Sequence, residues 1–243
     1  MQLIAPPGYG AVAPFDKEKH AGLGFSFDSH YTFASRLNAI YITSAEFVQS
    51  SRDYPIVFSY NEEQHSYIPM IVTSLNSGDN QFVSKSGQWA SNTYIPAYIR
   101  RYPFCIVEIP DDNGTTKPLV CVDEPALNSD AQPFFNKDSN PTEAWTRVET
   151  FMNEYETARQ LTSAFTNILA EHNLFEVFEA QAFDESGKRY HMTDMYRINE
   201  KKLQCLTGGV LSEFVEKKYM YFIYAHLISL DNFQHLLDRT VTH

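Results

Sequence analysis

The chain has 243 residues, of which 43% are hydrophobic and 14% aromatic, and a formal net charge of −11. That much apolar material excludes disorder and suits one large domain or two closely packed ones. The excess of acid runs through both halves, so no basic stripe marks a nucleic-acid groove, and anionic membrane surfaces are disfavoured.

Residues 1–24 are rich in Pro, Gly and Ala around a charged cluster, Asp16 to Lys19, and read as an irregular N-terminal arm. Met1 to Gly8 has neither a basic start nor an apolar stretch, so it does not read as a signal peptide. Residues 25–243 are predicted to form a single α+β domain. Its β-rich part, 25–125, packs on a mainly helical part, 126–243, that holds one further hairpin. In the first part, apolar runs recur at Ile56-Val57-Phe58, Ile68 to Val72, Phe82-Val83, Cys105 to Ile109 and Leu119 to Val122, separated by turn signals. Ser44 to Arg52 reads as a short helix capped by Ser44, with Glu46 in its first turn. Asn113-Gly114 reads as a two-residue hairpin turn, because both residues tolerate positive φ. That turn sets Ile106 opposite Cys121 and separates the two cysteines; a one-residue bulge would bring them face to face.

After a polar connection, Pro141 is predicted to open a long helix, with Trp145, Val148, Met152, Tyr155, Phe165 and Leu169 on its apolar stripe. It ends near His172-Asn173. Phe175–Phe183 and Arg189–Ile198 read as a hairpin, and Asn199 as the cap of a short helix through Leu203. Gly208-Gly209 breaks the chain before a helix of about ten residues, and a last helix runs from Tyr219 to Arg239. The most apolar run, Tyr219 to Leu230, is shorter than the roughly 20 residues a membrane span needs. Cys105, Cys121 and Cys205 lack metal spacing and sit among apolar neighbours, as buried free thiols do. The expected location is the cytoplasm.

No common catalytic signature is present: no phosphate loop, zinc-protease helix, nucleophile elbow or dinucleotide fingerprint. His191 and Asp194 form a close His/acid spacing that falls short of a metal-ligand set, and neither metal nor cofactor is expected. Two segments stand out. Tyr94 to Phe104 places Tyr94, Tyr98 and Tyr102 at spacings of four beside Arg100 and Arg101, between Pro96 and Pro103. On a helical turn the three tyrosines would stack. Forked guanidinium donors over an aromatic floor suit an anion or a peptide; the alternative is a connector whose arginines pair with Asp123, Glu124 or other acids. Ile223 to Asn232 contains Tyr224 and puts His226 and Ser229 on one helical face. A nucleophile pair is conceivable there, but nucleophiles sit on strained turns or helix starts, which favours a core histidine.

Several blocks resemble the SapC family of the S-layer-locus kind. Arg52-Asp53-Tyr54-Pro55-Ile56-Val57-Phe58 is similar to its R-E-Y-P-I-V-F block. Gly87-Gln88-Trp89, Tyr94 to Phe104 and Cys121-Val122-Asp123-Glu124 follow in the family's order. Tyr196 to Leu203 resembles Y-x-I-D-E-x-K-L, with Asn199 where Asp is usual, and Ile223 to Asn232 resembles its I-Y-A-H-L-L-S-L-x-N block. The resemblance implies surroundings of TonB-dependent receptors, flavin-dependent tryptophan halogenases and cupin-like proteins, hence a protein or peptide partner from such a pathway. The function expected is that of a non-catalytic accessory or binding protein with a peptide- or envelope-related ligand. The alternative is an enzyme acting on a peptide or amino acid, Arg100 and Arg101 holding an anion while Asp123, Glu124 or His226 moves protons.

Overall fold

Runs of β-branched and aromatic residues between turn segments pair here as antiparallel strands. The computed structural model describes residues 3–26, 30–110, 116–183 and 186–242. Its strands are β1 (Val12–Pro14), β2 (Ala39–Tyr41), β3 (Ile56–Asn61), β4 (Ser66–Val72), β5 (Phe104–Pro110), β6 (Thr116–Asp123), β7 (Phe175–Phe183) and β8 (Arg189–Ile198). They form two sheets, in the orders β1-β6-β5 and β2-β4-β3-β8-β7. The α-helices are α1 (Phe47–Ser50), α2 (Ala97–Arg100), α3 (Glu143–Glu171), α4 (Glu200–Gln204), α5 (Gly208–Glu216), α6 (Tyr219–Ser229) and α7 (Asn232–Thr242). The fold is α+β, with most of its helix in the C-terminal half.

The late hairpin, β7 and β8, has the predicted limits, and it completes the sheet of the first half by pairing Tyr196 with Phe58 of β3. The 29-residue α3 spans about 44 Å and ties the two sheets together. Val148 and Met152, near its start, join Phe104, Val122, Phe134 and Phe135 in a small core beneath the three-stranded sheet. Phe165 and Leu169, near its end, belong to the larger core with Phe47, Tyr54, Phe58 and Ile223.

Several expectations are corrected. Cys105 lies opposite Cys121 and Ile106 opposite Val120, one residue from the expected register. Pro110 pairs with Thr116, so an odd number of residues connects these strands where a two-residue turn needs an even one. Asn113-Gly114 itself lies outside the described residues, as do Asp184 and Glu185 of the later hairpin turn. Cys105 and Cys121 are buried free thiols, but Cys205 is exposed. Phe82-Val83 makes an isolated bridge to Trp89, because Asn80 and the 84–88 turn take up the surrounding backbone bonds. Val12–Pro14 of the arm forms a strand on β6.

Helix limits shift for local reasons. Thr43, not Ser44, caps the short helix at its 3-10 start: the Glu46 carboxylate accepts the Thr43 N–H and hydroxyl, both at 2.8 Å. Thr142 caps α3, and its hydroxyl donates to the carbonyls of Pro133 and Phe134, while Pro141 stays outside and bridges to Phe135. The glycines of 208–209 lie in the first turn of α5. The last predicted helix is two helices. It breaks at Leu230-Asp231, where the Asn232 amide turns inward to donate to the carbonyls of Ser51 (2.8 Å) and Tyr54 (3.1 Å). Among the described residues, no helix is long and apolar enough to cross a membrane.

Candidate functional site

The turn carrying the two arginines is held by a carboxylate remote in sequence. Pro96 precedes α2, whose first free N–H, on Ala97, donates to Glu46 Oε1 at 2.7 Å; the Tyr94 hydroxyl donates to the same oxygen at 3.1 Å. An orphan helix donor thereby meets a negative charge. The three tyrosines do not stack on one another. Tyr94 goes to Glu46, Tyr98 donates to the Pro7 carbonyl at 2.7 Å, and Tyr102 stacks on Phe33 with ring centres 3.8 Å apart. Into the gap comes Tyr9 from the arm, 6.2 Å from Tyr98 and 5.2 Å from Tyr102 between ring centres, its hydroxyl on the Phe104 carbonyl.

Adjacent on the turn, Arg100 and Arg101 diverge. Arg100 is exposed and pinned: Nε donates to the Ile95 carbonyl at 3.0 Å and one terminal nitrogen to the Tyr94 hydroxyl at 3.1 Å, with the guanidinium 5.2 Å from the Phe151 ring centre. Arg101 points into an aromatic cage, its guanidinium carbon 4.4 Å from the ring centre of Tyr98, 4.9 Å from Tyr155 and 5.8 Å from Tyr9. Its Nε is buried without a hydrogen-bond partner. Burial pushes the Tyr98 hydroxyl up to about 12 while Arg101 opposes that shift, and burial also raises Tyr9 and Tyr155. The cage is therefore neutral at physiological pH and offers ring faces rather than phenolates.

Neither arginine pairs with Asp123 or Glu124, the pairing named in the connector reading. Glu124 takes Lys19 and His20 Nε2, the latter at 3.0 Å, and these hydrogen bonds hold its carboxyl below the usual range. Asp123 is buried; one oxygen accepts the Gly10 N–H at 2.9 Å and the Tyr102 hydroxyl at 3.0 Å, and the other has no partner. Among the described residues, Arg101 has no carboxylate within ion-pair distance.

Arg100 and Arg101 do converge on one cavity of about 440 Å³. Phe104 of β5 and Ala144, Val148, Phe151 and Met152 of α3 form its apolar walls, with Phe25, the residue just after the arm. Gly24 makes this possible: it exchanges backbone bonds with Asn128, and a Cβ there would collide with the Gln132 carbonyl, so only glycine lets the arm lie this close. Gln132 and Arg147 also line it, and among the described residues its charged side chains are three arginines. Arg147 is mostly exposed and holds Glu143 only loosely, at 3.7 Å. In an acidic chain, this is a local positive site with apolar walls.

Tyr224 and His226 lie elsewhere, on α6. Tyr224 is 46% exposed. His226 is fully buried: its Nδ1–H donates to the Ile56 carbonyl at 2.8 Å and its Nε2 accepts the Ile198 N–H at 3.1 Å. Ser229 accepts the Ile56 N–H at 2.9 Å and donates to the His226 carbonyl, so the conceivable nucleophile pair is spent on backbone. His191 and Asp194 do not share a site, since His191 meets Glu179 and Asp194 meets Thr193.

Sequence reasoning found both arginines and missed Tyr9, Glu46, Arg147 and Tyr155. Tyr155 sat in the apolar stripe of a helix and Tyr9 in an apparently irregular arm. The one available signal was Arg147, four residues before Phe151 and hence on its face of α3. No curated protein and no solved structure matches the chain. The residues that build the cavity fall within positions 15–236, which the SapC family model matches, and the chain therefore belongs to the SapC family.

Proposed function

We propose that this is a non-catalytic accessory or binding protein of the cytoplasm. Its cavity takes a ligand with an anionic end beside an apolar group, as a peptide- or envelope-related carboxylate has. The observation that carries this reading is Arg101, whose buried Nε has no hydrogen-bond partner and which, among the described residues, has no carboxylate while it lines a cavity with apolar walls. Three aromatic faces return roughly 0.5–2 kcal/mol each to such a cation. Leaving a charge buried and unpaired costs several kcal/mol. The cage rings, with the Tyr9 and Tyr98 hydroxyls, offset part of that cost, and a carboxylate would complete the donor set. Binding is favoured over catalysis because Asp123, Glu124 and His226 are engaged away from the cavity. The cytoplasmic placement rests on Cys105 and Cys121, which face each other in register as free thiols.

The test is calorimetric titration of the full chain with N-acetylphenylalanine and with octanoate, alongside thermal melting. At least one carboxylate should bind wild type. Arg101→Met should abolish that binding and melt at or above the wild-type temperature, because it removes an unpaired charge and keeps the apolar stem. Arg100→Gln should weaken binding several-fold. An Arg101→Met protein that melts well below wild type yet still binds would make Arg101 a structural residue and sink the proposal.

A further inference from the structure

Large apolar side chains left in water gather on two neighbouring helices. Among the described residues, Tyr221 (63% exposed), Tyr224 and Ile228 (67% exposed) stand out from α6. Leu211 and Val215 stand out from α5, which packs on α6 through Phe214 and Tyr219. The run Tyr219–Ser229 contains no Asp, Glu, Lys or Arg. Its inner face, with Ile223, Ala225, His226 and Ser229, is buried in the larger core or against it. A surface helix turns charged and polar residues outward, whereas a helix apolar on every side is covered on every side. Tyr221, Tyr224 and Ile228 follow one another at steps of three and four, the spacing of a seam between paired helices.

We propose that the outer face of α6 is covered by α6 of a second copy of this chain, antiparallel about a two-fold axis passing between Tyr224 and Ala225. A two-fold contact sets residue i against j and j against i, so the face must be complementary to itself when reversed. This one is. Tyr221 of each copy meets Ile228 of the other, since the two stand equally far from the axis. So do Lys218, just before α6, and Asp231, just after it; both are exposed, and the reversed pairing brings opposite charges together on both flanks. Lys217, next to Lys218, is held by Glu213 at 2.7 Å and stays with its own chain. Lys218 closes α5 and Asp231 opens α7, but those local roles leave the uncharged stripe between them unexplained. A parallel pair would set Lys218 against Lys218 and Asp231 against Asp231. An anionic lipid surface would repel Asp231 and the net charge of −11.

A contact built on one helix from each copy falls at the low end of interface sizes, below about 1,200 Å² in total, where complexes are transient. Dimerisation is therefore reversible and set by concentration. None of the positions involved lines the cavity, so the contact stands apart from its ligand. Sedimentation velocity of the full chain, from low to several hundred micromolar, should show a monomer–dimer equilibrium. Ile228→Lys puts a charge into the seam and should weaken it at least about tenfold, with the melting temperature of the dilute monomer unchanged. Lys218→Glu alone and Asp231→Lys alone should each weaken it several-fold, because each sets like charges opposite one another on both flanks. A chain carrying both substitutions restores opposite charges and should dimerise like wild type. Thermal melts of the dilute variants check that each is folded. A wild type that stays monomeric throughout overturns the proposal, as does a dimer that Ile228→Lys leaves intact. A double variant no tighter than the two single ones also overturns it, because the antiparallel pairing requires that rescue.

Discussion

His226 occupies the place where β3 and β8 would exchange their next rung. Continuing the register of Phe58 with Tyr196 would set Ile56 opposite Ile198, and there the imidazole relays the bond from the Ile198 N–H to the Ile56 carbonyl. His226→Ala leaves both backbone groups buried and unpaired, an expected loss of roughly 2–4 kcal/mol. Urea unfolding at pH 7 measures it. Burial, opposed by the Ile56 bond and aided by Arg197, lowers the His226 pKa from 6.5 to about 4. The unfolded chain therefore binds the proton first. The stabilisation is complete above pH 6.5 and is lost as pH falls toward 4, on the order of 3 kcal/mol in all. The carboxyls of Asp16, Glu124 and Glu156 are lowered and titrate below most of that window. Between pH 7 and pH 5, wild type should lose urea resistance and His226→Ala should lose markedly less; equal losses would remove His226 as the cause.

At the scale of elements, side-chain oxygens decide where helices start. Asn199 was legible as a cap, and its Oδ1 accepts the Lys202 N–H at 2.9 Å. The pattern could not show that its amide also donates to Glu176 across the hairpin, beside the 2.7 Å pair of Arg197 with the same carboxylate. An aspartate at this position, usual in the family blocks this chain resembles, would keep the cap but face Glu176 with a like charge. Asn199→Asp should lower the melting temperature at pH 7 and lower it less near pH 4, where carboxylates protonate. A penalty independent of pH would point to lost packing instead. The inward turn of Asn232 is the converse case: the apolar pattern ran on unbroken, and two carbonyls of the 51–54 segment broke the helix.

For the whole molecule, we propose that the arm, the sheets and the helices fold as one cooperative unit. Two ties cross the boundary near residue 125, β8 on β3 and α3 through both cores, while Tyr9 and Val12–Pro14 tie the arm to β5 and β6 within the first part. Residues 1–125 alone would expose Phe47, Phe58 and Phe104, each buried in the full chain. That fragment should be poorly soluble and bind a hydrophobic dye without a cooperative melt. A soluble fragment with a sharp transition would establish two independent domains.

Local physics was enough for much of this. The α+β class, the limits of β7 and β8, the end of α3, the Asn199 cap and the prominence of Arg100 and Arg101 follow from periodicity, capping chemistry and residue type, which act over a few neighbours. The β5–β6 register, the break before Asn232, the part played by the arm and the choice of Arg101 as the caged cation were settled only by tertiary structure. The break, the arm and the caged arginine depend on groups tens of residues away: Ser51 and Tyr54 beside Asn232, Phe104 beneath Tyr9, and Tyr9 and Tyr155 around Arg101. A buried polar group must find its partner wherever the fold brings one, and sequence spacing carries no record of that meeting.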